Sequence, residues 1–295
     1  MTSLAMLIKR NILIFIKDKS SVFFSFLSML IIIGLNVIFL NNTNFDSLLK
    51  IIPAVREKVE FMVNSMVMAG IIVVNATTVT LGMAGVMVDD EDNNKLKSFY
   101  ISPVSRINIT FGYILSAFII GCIFCFLTFF ISEAYIYFSG GELLTFMNMI
   151  KVIFYIVVNV FSSSCFIFFI TSVIHSARSF STISVVIGTL VGFVGGLYVP
   201  IGQLPDFVQK IIKCCPIIYG TSLMKDVFVE NPIISVFSNA DVDVIDSYKE
   251  FMAISISLNN NVVSDIQKIM ILLASGLFFT AISIMIIKNK KIKDR

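Results

Sequence analysis

The sequence predicts an all-α integral membrane protein with six transmembrane helices, and three observations carry that expectation. Hydrophobic residues make up 57% of the chain and charged residues 14%, against roughly 45–50% and about 25% in soluble domains. The apolar residues gather into six runs near the ~20 residues that a bilayer core requires. Charged clusters, glycines and prolines fall between these runs. The net charge of +3 is small, and the basic residues flank the apolar runs. Without a basic patch interleaved with aromatics, nucleic-acid binding has no support.

Residues 3–19 place Leu4, Leu7, Ile8, Ile12 and Phe15 on one helical face with Lys9, Arg10, Lys17 and Lys19 around it. That is the pattern of an N-terminal helix lying in the membrane interface. Residues 22–40 carry no charge and form span one, without an A-x-A-like cleavage site behind them. A charge-balanced loop at 41–60 leads to span two at 61–88. Residues 107–138 hold span three. Glu133 falls about 39 Å along it, at the far interface. Gly140 and Gly141 break the chain before span four at 152–174. A short loop with the sole histidine, His175, precedes span five at 183–201.

Gly188, Gly192 and Gly196 recur every four residues on one face of span five. Such spacing lets helix backbones approach closely, within a bundle or between subunits. Residues 205–215 set Val208, Ile211, Ile212 and Cys215 against Asp206, Gln209, Lys210 and Lys213. The two-sided pattern predicts a helix lying flat at the outer surface, stopped by Pro216. Residues 229–267 are the least membrane-like. Their acids Asp241, Asp243 and Asp246 lack the glycine and closing glutamate of an EF-hand and read as plain acidic surface. Span six, 269–287, precedes a basic tail. The whole chain, 1–295, reads as one transmembrane domain with an extracellular loop over 202–267.

Six spans put both termini on one side. Thirteen of the 22 basic residues flank that side, so the termini and the stretch 89–106 are expected in the cytoplasm. The five cysteines make no disulfide framework: Cys122, Cys125 and Cys165 lie in apolar runs, and Cys214 and Cys215 are adjacent.

The stretch 89–106 reads DDEDNNKLKSFYISPVSR. Asp89, Asp90, Glu91 and Asp92 precede Lys95 and Lys97, the charge order favoured by a short helix that starts at the acids. Leu96, Phe99 and Tyr100 follow i, i+3, i+4 spacing and would share one apolar face. Ser102 and Pro103 read as the N-cap and first-turn proline of span three. The stretch is either a solvated loop or the contact for a partner outside the membrane.

The chain carries no G-x-x-x-x-G-K-[ST], H-E-x-x-H or G-x-S-x-G pattern, and one histidine cannot build a multi-histidine metal site. No catalytic residue, metal ligand or bound cofactor is expected. Nor do the spans carry the charged relay of an ion-driven carrier. Transport by this chain would draw its energy from another one.

An apolar span followed by VDDEDNNKLKSFYISPVSR and a long span, then GGLYVPIGQLPDFVQKIIKCCPIIYGTSLMKDVF downstream, resembles the membrane subunit of ABC-2 type exporters. The match covers essentially the whole chain and is carried also by Pro200, Leu204 and Pro205, and by Pro216 ahead of Tyr219. The resemblance implies that 89–106 is a coupling segment docking on a separate ATPase subunit through Leu96, Phe99, Tyr100, Lys95, Lys97 and Asp92. It implies that Pro200, Leu204, Pro205 and Pro216 shape an outer re-entrant segment, that ATP sits on the partner, and that a second, identical or related, permease subunit is present. Asn94 stands where the family's coupling segment often has glycine. The implied function is export of a drug, peptide or other small amphiphile across the plasma membrane of a bacterial cell. The alternatives are export of a lipid-linked cell-surface polymer, or a non-transporting membrane protein for peptide sensing or immunity.

Overall fold

A computed structural model describes residues 3–35, 56–101, 104–174, 176–238, 241–258 and 261–289. Among the described residues the α-helices are, in order, α1 (Ser3–Lys17), α2 (Lys19–Leu35), α3 (Arg56–Asp92), α4 (Lys95–Ile101), α5 (Arg106–Phe138), α6 (Phe146–Val173), α7 (Ala177–Val194), α8 (Asp206–Lys213), α9 (Pro216–Val236), α10 (Val242–Phe251) and α11 (Asp265–Asn289). Two antiparallel strands of two residues each, β1 (Ser257–Leu258) and β2 (Asn261–Val262), lie between α10 and α11.

Among the described residues α3, α5, α6, α7 and α11 are long and apolar enough to cross a membrane. Span one is represented by α2 up to Leu35, and its remainder lies outside the described residues, as do His175 and the end of the basic tail. The last turn of α11 packs near the start of α5, at the same end of the bundle as α1. We call this the termini end, and its opposite the far end.

Helix α3 is the axis. Its Val, Met, Ile and Ala residues are apolar all round rather than on one stripe, as suits a helix enclosed by others, and α5, α6, α7 and α9 pack around it. Small and polar side chains knit the bundle. Val160 and Thr80 close tightly on Gly121 of α5. Asn75 donates to Thr128 at 2.5 Å, the Thr77 and Ser163 hydroxyls lie 3.3 Å apart, and Ser162 meets Ser275 at 3.1 Å. In lipid, where apolar surface gives helices little reason to associate, such contacts hold them together. On α1, Leu7, Asn11 and Phe15 turn inward while Met6, Leu13 and Ile16 stay exposed, the split expected of an interfacial helix.

Four boundaries differ from the sequence reading. The acids 89–92 do not start a helix; they end the 37-residue α3, because the apolar run before them continues unbroken into the last turn. Helix α5 starts at Arg106 with Ser105 as its N-cap, accepting from the Asn108 amide at 3.2 Å; Ser102 and Pro103 lie outside the described residues. Span five ends at Val194, not 201, because Gly196 takes a left-handed φ of 58°. Residues 229–236, read as loop, complete α9, with Pro232 accommodated inside the helix. The amphipathic segment after Pro205 does form, as α8.

Candidate functional site

The acidic last turn of α3 opposes the helix dipole, so its charge needs cations from elsewhere. Asp90, 2% exposed, receives them. Both guanidinium nitrogens of Arg10 on α1 donate to its two oxygens at 2.6 Å, the bidentate fork that makes arginine pairs strong and directional. The Tyr113 hydroxyl of α5 donates at 2.7 Å, and the Lys95 ammonium of α4 stands 4.0 Å away. One carboxylate thus joins α1, α3, α4 and α5. Donating these hydrogen bonds to Asp90 holds the Arg10 pKa above its ordinary value.

Between α3 and α4 the chain turns on Asn93 and Asn94. The Asn93 amide and side chain both donate to the Asp89 carbonyl, at 3.0 and 2.8 Å. Asn94 has φ 58°, a conformation glycine adopts freely and asparagine better than most. It therefore makes a turn that a glycine would make without strain. Leu96 is 3% exposed and packs in the cluster that includes Leu7, Met87 and Ile109. Phe99 is half-buried with the Arg10 guanidinium 5.1 Å from its ring centroid, a cation–π distance. These two residues face inward and fasten α4 to the bundle. The side chains of Lys97 and Tyr100 lie outside the described ones. Asp92, Lys95, Ser98 and Ile101 are exposed, Ile101 by 82%. Arg106 donates to the carbonyls of Ile287 and Lys288 at 3.3 and 3.1 Å, capping α11 with a cation.

At the far end the three glycines part company. A Cβ on Gly192 would overlap the Tyr198 ring, Gly196 makes the left-handed turn, and Gly188 has nothing within 4 Å. Two are used inside the chain and one opens outward. Pro200 and Pro205 each stand just before a helix, Leu204 lies between them after a 3-10 turn at Ile201–Gln203, and Pro216 occupies the first turn of α9. These residues shape the segment as a series of short helices. Glu133 is buried near the end of α5 and accepts from the Leu144 amide at 3.1 Å, closing the following loop.

Lys225 of α9 is 3% exposed. Its ammonium donates to the carbonyls of Gly196 and Met252 at 3.1 and 3.0 Å, and burial lowers its pKa to about 8. A lone lysine inside TSLMKDVF was the available signal for it. Arg10, Asp90 and Tyr113 gave none as a set, since 80 residues separate the pair.

No curated protein matches the chain. A family profile described as ABC-2 family transporter protein matches residues 49–285, which takes in α3 through α10 and most of α11. With a seven-residue helix locked beneath a bundle of long apolar helices, and four-fifths of its length under that profile, the chain belongs to the ABC-2 transporter family and is a membrane permease of an ABC transporter.

Proposed function

We propose that this permease exports a drug, peptide or other small amphiphile, that ATP is bound and hydrolysed on a separate ATPase subunit, and that a second permease subunit completes the path. The carrying observation is the mounting of α4. Leu96, Phe99 and the Asp90 cluster fix it to α1, α3 and α5, while Asp92, Lys95, Ser98 and Ile101 stay open toward the side where basic residues concentrate. The docking contact therefore passes from the inward pair to Ile101 and its exposed neighbours. Closure of the ATPase pair would press on α4, and the charge cluster would carry the displacement into α3 and α5. The face of α7 around Gly188, with Val185 70% exposed, suits the second permease subunit.

Ile101→Asp tests the contact, because a surface change of this kind alters folding by no more than about 0.5 kcal/mol. Co-purification of the ATPase and transport should both fall about tenfold while the melting temperature holds. Wild-type values in both assays overturn the assignment.

A further inference from the structure

At the far end, α6, α9, the last turns of α10 and the start of α11 surround a cavity of about 320 Å³. Asp226, Glu230 and Asp265 bring carboxylates to its lining, and Lys151 and Lys249 bring ammonium groups. Three of these five charges have other engagements or lie at the rim. Asp265 pairs with Lys268 at 2.9 Å, Glu230 accepts from Asn148 at 2.7 Å, and Lys151 is exposed.

Asp226 is different. It is half-buried and makes no ion pair or hydrogen bond among the described residues. Burial, then the charge of Asp265, raises its pKa against the smaller opposing pull of Lys268 and Lys249, neither of which pairs with it directly. Tyr155 also lines the cavity, is 8% exposed, and has no hydrogen-bond partner for its hydroxyl among the described residues. It lies within electrostatic reach of both Asp226 and Asp265. Both groups open onto the cavity without a protein partner among the described residues, so each can exchange water for the N–H of a ligand. A cation with N–H groups would satisfy both, and the tyrosine ring adds attraction for it. An anion would meet three carboxylates. Val227, Ile233 and Ile254 complete the wall with apolar surface.

We propose that this cavity binds a protonated amine carried on an apolar body, with Asp226 as counter-charge and the Tyr155 hydroxyl as hydrogen-bond acceptor. This deepens the export reading by naming a ligand class, yet binding requires neither the ATPase nor turnover. The amine belongs either to a soluble amphiphile or to a lipid headgroup.

The purified full chain in phosphatidylcholine nanodiscs, which present no primary amine, is titrated calorimetrically with hexylamine and, as a neutral control, hexanol. Saturable hexylamine binding is expected, weakened at least tenfold by Asp226→Asn and about threefold by Tyr155→Phe, with melting temperatures unchanged. Equal binding of hexanol, or full affinity in Asp226→Asn, overturns the proposal. In phosphatidylethanolamine nanodiscs, a tenfold fall in apparent affinity supports it with the headgroup as the resident amine; unchanged affinity supports it with a soluble amphiphile. Amine binding without ATPase-driven transport would overturn the export reading and leave the site standing, whereas transport without amine binding would do the reverse.

Discussion

At the termini end Asp90 is met by Arg10, Tyr113 and Lys95, whereas at the far end Lys225 and Asp226, neighbours on one helix, have no ion-pair partner among the described residues. The first arrangement fixes four helices in one geometry. The second leaves charge available, Lys225 on carbonyls of two turns and Asp226 on a cavity. The termini end is thus tied by direct charge pairing and the far end, at Lys225 and Asp226, is not.

Single substitutions at four positions probe that contrast. The largest effect belongs to Asp90→Ala, which strands the Arg10 charge and the Tyr113 hydroxyl. Removing one member of such a buried pair costs about 3–5 kcal/mol. Denaturation in detergent reads this, and the exchange of both residues, Arg10→Asp with Asp90→Arg, should recover part of it. A loss below about 1 kcal/mol would mean that apolar packing alone holds the junction.

Lys225 comes next. Its folded pKa of about 8 lies below the ordinary 10.5, so between these values the unfolded chain holds a proton that the folded chain has released. Stability therefore rises as pH climbs from about 8 to 10.5 and gains nothing from this group below that window. The full rise is about 3 kcal/mol. Lys225→Met should flatten it relative to wild type in denaturation at pH 7 and pH 10; an identical slope would place a hidden counter-charge beside the lysine.

Gly192→Ala drives a methyl into the Tyr198 ring and should cost about 1–3 kcal/mol. Gly188→Ala meets open space and should add up to about 1 kcal/mol from helix propensity. Gly188→Trp then reports on a partner: loss of the dimer in size-exclusion chromatography at unchanged melting temperature is the expected result. If Gly192→Ala proved neutral and Gly188→Ala destabilising, the glycine roles would be exchanged.

Membrane character, the helical N-terminal segment and the helix after Pro205 were legible, because each rests on composition or short-range periodicity. The direction of the acidic run was not. Charge order suggested a helix start, but packing of Val86, Met87 and Val88 carried α3 past it, and tertiary burial outweighed a dipole preference of under about 1 kcal/mol. The inward turn of Leu96 and Phe99 was hidden for a related reason. An apolar face at i, i+3, i+4 says that something covers it, not whether the cover is a partner or α1. The glycine repeat specifies a face, while Tyr198, six residues beyond Gly192, decides what part of that face meets. The amine cavity draws its groups from Lys151 to Asp265, and no local pattern brings them together.

Helix α3 runs 37 residues without a break, about 55 Å, well beyond the ~30 Å hydrocarbon thickness it crosses. It carries Asp90 at one end, and near the other it offers Met66 and Val67 to the small space beside Lys225. A rod of that length tilted by about 5° about one end moves the other by about 5 Å, more than the diameter of a water molecule. A few degrees of rotation imposed at the arginine fork would thus be enough to open or shut a passage at the opposite face, with no change in the helix itself.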